Sequence, residues 1–400
     1  MDIAHLHFLV AHADPHERRA LAALLAQIGA CRVSEVRDGP SVLEALAAGS
    51  TFTPPIDIAI VDLDLPGADS LDLLRHLGKT GCGARLIVSG SQSSDLLFSI
   101  ETLAQAYGVE LLGTLGHPIT AVTLKPLLAN YTPLARRVHA GQVQRFGFDD
   151  VERGLQQSQF EPFFQPKIEL ATGDVKGLEV FARWRHPEHG VLGPAAFMDA
   201  LQEHGRINLL DWAMIEQAVA RSRWLQDIGL PIPISLNTAP ETLLDPAFVP
   251  KLVACLAQHD VAPDQITFEM PESATLNTDP DFIERLVRLR MLGIGLAIDD
   301  YGTGRSNLQL LARIPFTELK IDRSFVDGAS KLRPLSTVLR SCLTLAHSLE
   351  RQSVAVGVET RQDWDFLQSL GCTYAQGYHI ANPMEATAFP PWLADWRQFF

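Results

Sequence analysis

From Phe160 onward the chain alternates short apolar runs with helix-like stretches over some 240 residues, and few folds accommodate that rhythm. A short apolar run between turn signals reads as a strand buried on both faces, and the stretches between such runs carry apolar residues at helical spacing. One unit shows the logic. Asn208 reads as a helix N-cap, and Leu209, Trp212, Ile215, Ala218 and Val219 form an apolar stripe. Gly229 stops that helix, and Pro233 lies near the start of a strand that ends at Asn237. A second unit runs FIERLVRLRMLG, then GLAI, then Asp299 and Asp300. Alternation of this length predicts a TIM-type (β/α)₈ barrel, whose functional groups gather at the carboxyl ends of its strands.

A separate alternation occupies residues 1–130. HFLVA, DIAIVDL, ARLIVSG and VELLGTL read as buried parallel strands, flanked by helical patterns such as ERRALAALLAQIG. They predict a doubly wound α/β domain with its site at the carboxyl ends of the strands. Residues 131–157 between the two blocks read as a helical linker that could also join protomers. The formal charge of -14 argues against nonspecific binding to nucleic acid or to an anionic membrane. No stretch approaches the ~18 uninterrupted apolar residues of a membrane helix. The start, MDIAHLHFLVAHADP, lacks a basic region and reads as a strand, not a signal peptide. Five scattered cysteines without C-x-x-C spacing fit a reducing cytoplasm.

The barrel half carries Glu179, Asn237, Glu269, Asp299, Asp300, Lys320, Glu359 and Gln376, most of them at the ends of short apolar runs. Oxygen donors with a single lysine suit divalent metals and a phosphate ester. Adjacent strand residues point to opposite faces, so joint use of Asp299 and Asp300 requires the strand to end or bulge there.

The first block resembles the receiver domain of two-component response regulators, a flavodoxin-like fold, over nearly its whole length. Asp62, ending IVDLDLPG, matches the phospho-accepting aspartate, and Ser89 in LIVSG matches the hydroxyl residue. The resemblance also implies an acidic pair for magnesium and a lysine before a proline. Here the acidic pair falls on His12 and Ala13, with only Asp14 acidic nearby, and the lysine falls on His117 before Pro118. The aromatic switch position holds Thr114. A docking or dimerisation surface is the expectation, not a phosphorylation switch. His12 and His117 are readable as metal ligands, as pH sensors, or as ordinary polar residues.

The second block, residues 158–400, resembles the EAL domain, which in active members hydrolyses cyclic di-GMP to linear pGpG. The name-giving Glu-Ala-Leu stands here as Glu179-Val180-Phe181 in GLEVFARWRHP, and FFQPKIEL, ISLNT, FEMPES, DDYGTGRSNL, LKID, VGVE and AQGY also match. By that resemblance Glu179, Asn237, Glu269 and Asp299 would hold one Mg²⁺ or Mn²⁺, and Asp299 with Asp300 a second. Lys320 would offset charge on phosphate oxygens or orient the water, and Glu359 would take part in catalysis. Arg183 is placed for a fork-like phosphate contact. Gln165 and Gln376 would lie near the ligand or water, and Glu272 would brace DDYGTGRSNL.

Family members read Ala-Glu-Gly-Val-Glu where this chain has Ala355-Val356-Gly357-Val358-Glu359. The lost glutamate is a ligand of the second metal and a candidate general base; valine can serve as neither. Phe181 replaces leucine, and Arg305 replaces an aromatic residue. The expectation is a degenerate receiver–EAL protein that binds cyclic di-GMP, or a protein partner, with little or no hydrolysis. A slow Mg²⁺- or Mn²⁺-dependent phosphodiesterase and a purely structural oligomer are the alternatives.

Overall fold

The structure is a computed structural model that describes residues 3–46, 55–67, 70–80, 82, 84–91, 94–129, 131, 145–304, 311–312 and 314–398. The chain divides into two compact units, Met1–Gln142 and Val143–Phe400. Among the described residues, no helix is long and apolar enough to cross a membrane.

In the first unit, strands β1 (His7–Ala11), β2 (Arg32–Val36), β3 (Ile58–Asp62), β4 (Arg85–Gly90) and β5 (Leu111–Gly116) form one parallel sheet in the order β2-β1-β3-β4-β5. That order is consistent with a flavodoxin-like domain, whose ligand crevice opens at the carboxyl ends of β1 and β3. Leu9, Ala59, Val61 and Leu86 pack on one face of the sheet, and Phe8, Val10, Ile58 and Ile60 on the other. β2 is the strand that apolar runs do not announce. It lies at the sheet edge with Arg32 and Glu35 exposed, so its sequence has no reason to be continuously apolar. Asp14 caps the helix Pro15–Gln27 by accepting from His16 N–H. Residues 132–144 of the expected linker lie outside the described residues; Phe148–Gln156 is helical.

The second unit is an eight-stranded barrel. Its staves are β6 (Phe160–Glu169), β7 (Val175–His186), β9 (Ile234–Asn237), β10 (Ile266–Pro271), β11 (Gly295–Tyr301), β12 (Glu318–Ile321), β13 (Gln352–Val356) and β14 (Tyr374–Gln376). Two short strands, β8 (Gly190–Leu192) and β15 (Met384–Glu385), pair with β7 and β6 outside the ring. The strict (β/α)₈ expectation needs one correction. β6 runs antiparallel to both of its neighbours, β7 and β14, while the other seven staves are parallel. The cause is the connection: only residues 170–174 separate β6 from β7. A parallel crossover needs about a dozen residues or more, so this link makes a hairpin.

A second correction concerns Asn208. The helix Ile207–Asp227 is capped by Arg206, and Asn208 falls within its first turn. Of the expected stripe, Ile215, Ala218 and Val219 are buried, Leu209 and Trp212 are half-buried, and Leu210, Met214 and Leu225 complete the buried face. Gly229, at φ +82°, takes the left-handed turn that releases the chain toward β9.

Candidate functional site

Residues paired across parallel strands point to the same face, as do residues two apart on one strand. This rule indexes the barrel interior. Glu179 pairs with Ser235, two residues before Asn237; Asn237 pairs with Glu269, and Glu269 with Ala297, two before Asp299. Ala297 pairs with Glu318, two before Lys320; Lys320 pairs with Val354, two before Val356, and Val356 pairs with Gln376. Glu179, Asn237, Glu269, Asp299, Lys320, Val356 and Gln376 therefore all face inward, and Gln165 meets Glu179 across the β6–β7 hairpin.

Lys320 is the hub. It is 2% exposed, and its ammonium contacts Glu179 Oε2 at 3.0 Å, Asp299 Oδ1 at 3.1 Å and Glu269 Oε2. Asn237 Nδ2 donates to Glu179 Oε1 at 2.9 Å, and Gln376 Nε2 donates to Glu179 Oε2 at 2.7 Å and to Gln165 Oε1 at 2.9 Å. Gln165 in turn donates to Ala381 O at 2.8 Å.

Three carboxylates face one lysine, and their protonation divides accordingly. Burial works to raise the pKa of Glu179, but the Lys320 charge and the hydrogen bonds from Asn237 and Gln376 overcome it and hold the group low. Glu269 goes the other way: burial, then the nearby Glu179 charge, outweigh Lys320 and push it up to about 8. Burial also disfavours the lysine's own charge, yet the surrounding carboxylates keep Lys320 well above its ordinary value. Asp300 is raised by desolvation and then by the Asp299 charge.

The strand does bulge at the acidic pair. Between Ile298 and Tyr301 the β11–β12 register slips, and Asp300 adopts φ +52°. Asp299 thus stays inside against Lys320 while Asp300 sits exposed at the rim. Glu272, 3% exposed, accepts through Oε2 from Gly302 N–H at 3.1 Å and Gly304 N–H at 2.8 Å, and so ties the loop after β11. Arg305 lies outside the described residues.

Two expected residues stand differently from the rest. Glu359 is not among the partners of Lys320; its carboxylate pairs with Arg323 at 2.8 Å. Arg183 lies two and four residues beyond Phe181 and Glu179 on the inward face of β7. Its guanidinium packs near the Phe163 and Phe181 rings, 5.8 and 5.7 Å from their centroids, and Nη1 donates to Ala182 O. Partial desolvation lowers its pKa. Gly357, at φ +76°, turns the chain away directly after Val356, and a Cβ there would collide with the Arg323 stem.

One supporting residue carries no sequence signal beyond being an acid on an apolar helix face. Asp211 is buried on the helix Ile207–Asp227 and accepts from Ala239 N–H at 3.0 Å and Thr242 Oγ1 at 2.5 Å. It thereby fixes the loop that follows Asn237, although burial raises its own pKa to about 6. Asp211→Ala leaves both donors without their acceptor and is expected to lower unfolding stability by about 1–3 kcal/mol. Urea denaturation measures this, and an unchanged midpoint would mean that the loop does not depend on Asp211.

The donor set suits a hard divalent cation. Glu179, Glu269 and Asp299 each offer a carboxylate oxygen within 4.8 Å of the others. Asn237 turns its amide nitrogen to Glu179, which leaves its oxygen available as a further ligand.

Residues 149–383 match the EAL domain family. The cyclic di-GMP phosphodiesterase RocR of Pseudomonas aeruginosa is 33% identical over 389 residues, spanning 96% of this chain and 97% of RocR. Among solved structures, the PaMucR phosphodiesterase in complex with c-di-GMP is 30% identical with a TM-score of 0.57, covering 60% of this chain and 98% of that one. The EAL enzyme Bd1971, in its cAMP- and cyclic-di-GMP-bound form, is 29% identical with a TM-score of 0.58 over 60% of this chain and 66% of that one. With the family match lying on the barrel and its inward-facing acids, this chain belongs to the EAL domain family.

Proposed function

We propose that the barrel binds cyclic di-GMP at the carboxyl ends of its strands and hydrolyses it slowly or not at all. The observation that carries this reading is the register at position 356. Val356 pairs with Gln376, on the face that holds Glu179 and Lys320, so a valine stands inside the ring of ligands where the family has a glutamate. On this reading Glu179, Asn237, Glu269 and Asp299 would hold one Mg²⁺ or Mn²⁺, whose chemistry is to polarise a phosphoryl oxygen and acidify a bound water. Lys320 balances charge, Arg183 and Gln376 meet the ligand, and Glu272 holds the rim loop. What is missing is a second anionic ligand opposite Asp299 and Asp300 and a base to take the proton of the attacking water.

Binding is supported by solved relatives that carry the nucleotide and by the largely intact ring of polar groups. Calorimetry with cyclic di-GMP, with and without Mg²⁺ or Mn²⁺, tests it: saturable heat is expected, and no heat at millimolar ligand would leave only a protein-docking role.

Slow hydrolysis is the second reading. It is favoured by the completeness of the Lys320 cluster and by the similarity to RocR along the whole chain. Release of pGpG in a long incubation with Mn²⁺ would support it. The N-terminal unit we take as a receiver-like domain that docks a protein partner or a second copy. Asp62, its phosphoacceptor candidate, stands without the receiver family's acidic pair in sequence, since those positions hold His12 and Ala13.

A further inference from the structure

We propose that the N-terminal unit carries a transition-metal site formed by His12, Asp62 and His117. His12 directly follows β1, Asp62 is the last residue of β3, and His117 directly follows β5, so three strands deliver the groups to one crevice. His117 Nε2 lies 3.0 Å and His12 Nε2 3.7 Å from the same oxygen, Asp62 Oδ2. One possible ligand atom from each residue lies within 4.8 Å of the others. A tetrahedral ion with bonds of about 2.0–2.1 Å to nitrogen and oxygen holds its ligands roughly 3.4 Å apart. The two measured separations, 3.0 and 3.7 Å, bracket that value.

The donor set also selects the ion. Two imidazoles and one carboxylate favour Zn²⁺, Co²⁺, Ni²⁺ or Cu²⁺, whereas Mg²⁺ prefers all-oxygen surroundings. Asp62 is 3% exposed and already oriented, since its Oδ1 accepts from Asp64 N–H at 2.9 Å and its Oδ2 from Ser89 Oγ at 3.1 Å. Such supporting bonds are what hold a carboxylate ligand in place. The imidazoles are 15% and 25% exposed, so the crevice is open to an entering ion and to a water as fourth ligand.

A plainer arrangement competes with this one: both imidazoles could simply donate N–H to Asp62. His12 bears on that choice. Its Nδ1 accepts from Asp14 N–H at 3.0 Å, which puts the ring proton on Nε2, facing Asp62. Ligation through Nε2 requires the proton to shift to Nδ1 and that hydrogen bond to open. The contact is solvent-exposed, so Asp14 N–H re-bonds to water and the exchange costs little.

The test uses the full, tag-free chain with excess Mg²⁺ present, so that the oxygen-rich barrel site is filled. Co²⁺ is added and followed by its visible absorption, and Zn²⁺ by competition. One equivalent of Co²⁺ with an intense, four-coordinate spectrum is expected, together with paramagnetically shifted imidazole N–H resonances from two histidines. His12→Gln and His117→Gln should each weaken Co²⁺ binding at least about 100-fold, the upper end of what losing a supporting bond costs. Glu269→Gln should leave the spectrum unchanged. Absence of shifted imidazole resonances in the unaltered chain would overturn the proposal without recourse to any variant. So would equal Co²⁺ affinity in the chain and in either folded histidine variant.

Discussion

Val356→Glu is expected to raise the rate of pGpG release from cyclic di-GMP by about 10²- to 10⁴-fold, the range in which a positioned general base contributes. The expectation follows from strand geometry. In-register residues of parallel strands share a face, and the partner of position 356 is Gln376, whose amide reaches Glu179 at 2.7 Å. A glutamate at 356 therefore shares the inward face that carries Gln376 and the ring of acids. There it can add a metal ligand and accept a proton, two roles closed to valine. Gly357 lets the chain leave the strand at once through its left-handed turn, so the longer side chain meets no continuing strand. Chromatography after incubation with Mn²⁺ measures the product, and Val356→Gln is the control, since it matches glutamate in size but not in basicity. A gain in the glutamine variant equal to that in the glutamate variant would attribute the effect to packing. No gain in either would move the defect to Phe181 or to Arg305.

How much of this was legible beforehand depends on the kind of signal. Barrel strands are buried on both faces, so GLAI and its counterparts announce themselves as apolar runs, and the acids that end them stand out by contrast. Joint use of the adjacent acids at 299 and 300 required the strand to end or bulge there, and the β11–β12 register slips between Ile298 and Tyr301. The antiparallel β6 was equally readable from a five-residue connection, yet the repeating pattern pulled toward a uniform (β/α)₈ ring. What local sequence could not give were relations across the fold. β2 is an edge strand with no apolar signature, and the helix starts so that Arg206, not Asn208, holds the N-cap position, without a side-chain cap bond. Asp211 gains its role only from Ala239 and Thr242, which lie about thirty residues on. The meeting of His12 and His117 at Asp62 is likewise a property of strand order, not of spacing.

Lys320→Met is expected to cost about 3–5 kcal/mol of unfolding stability in the presence of a chelator, as removal of one partner from a buried ion network does. Methionine keeps much of the stem's bulk, so the change isolates the charge. Without the ammonium, the buried Glu179 and Glu269 and the part-exposed Asp299 lose their shared cation, while Asn237 and Gln376 still donate to Glu179. Burial already pushes Glu269 up to about 8 with the lysine in place, which shows how little spare cation the cluster has. For a unit of this size the loss corresponds to a fall in melting temperature of roughly 6–20 °C. Mn²⁺ discriminates between explanations. If the three acids are a cation site, the ion should restore more stability to the variant than it adds to the unaltered chain, because it replaces the missing positive charge. Equal Mn²⁺ stabilisation of both chains would mean that the lysine, and not an exchangeable metal, is what this ring of acids is built around.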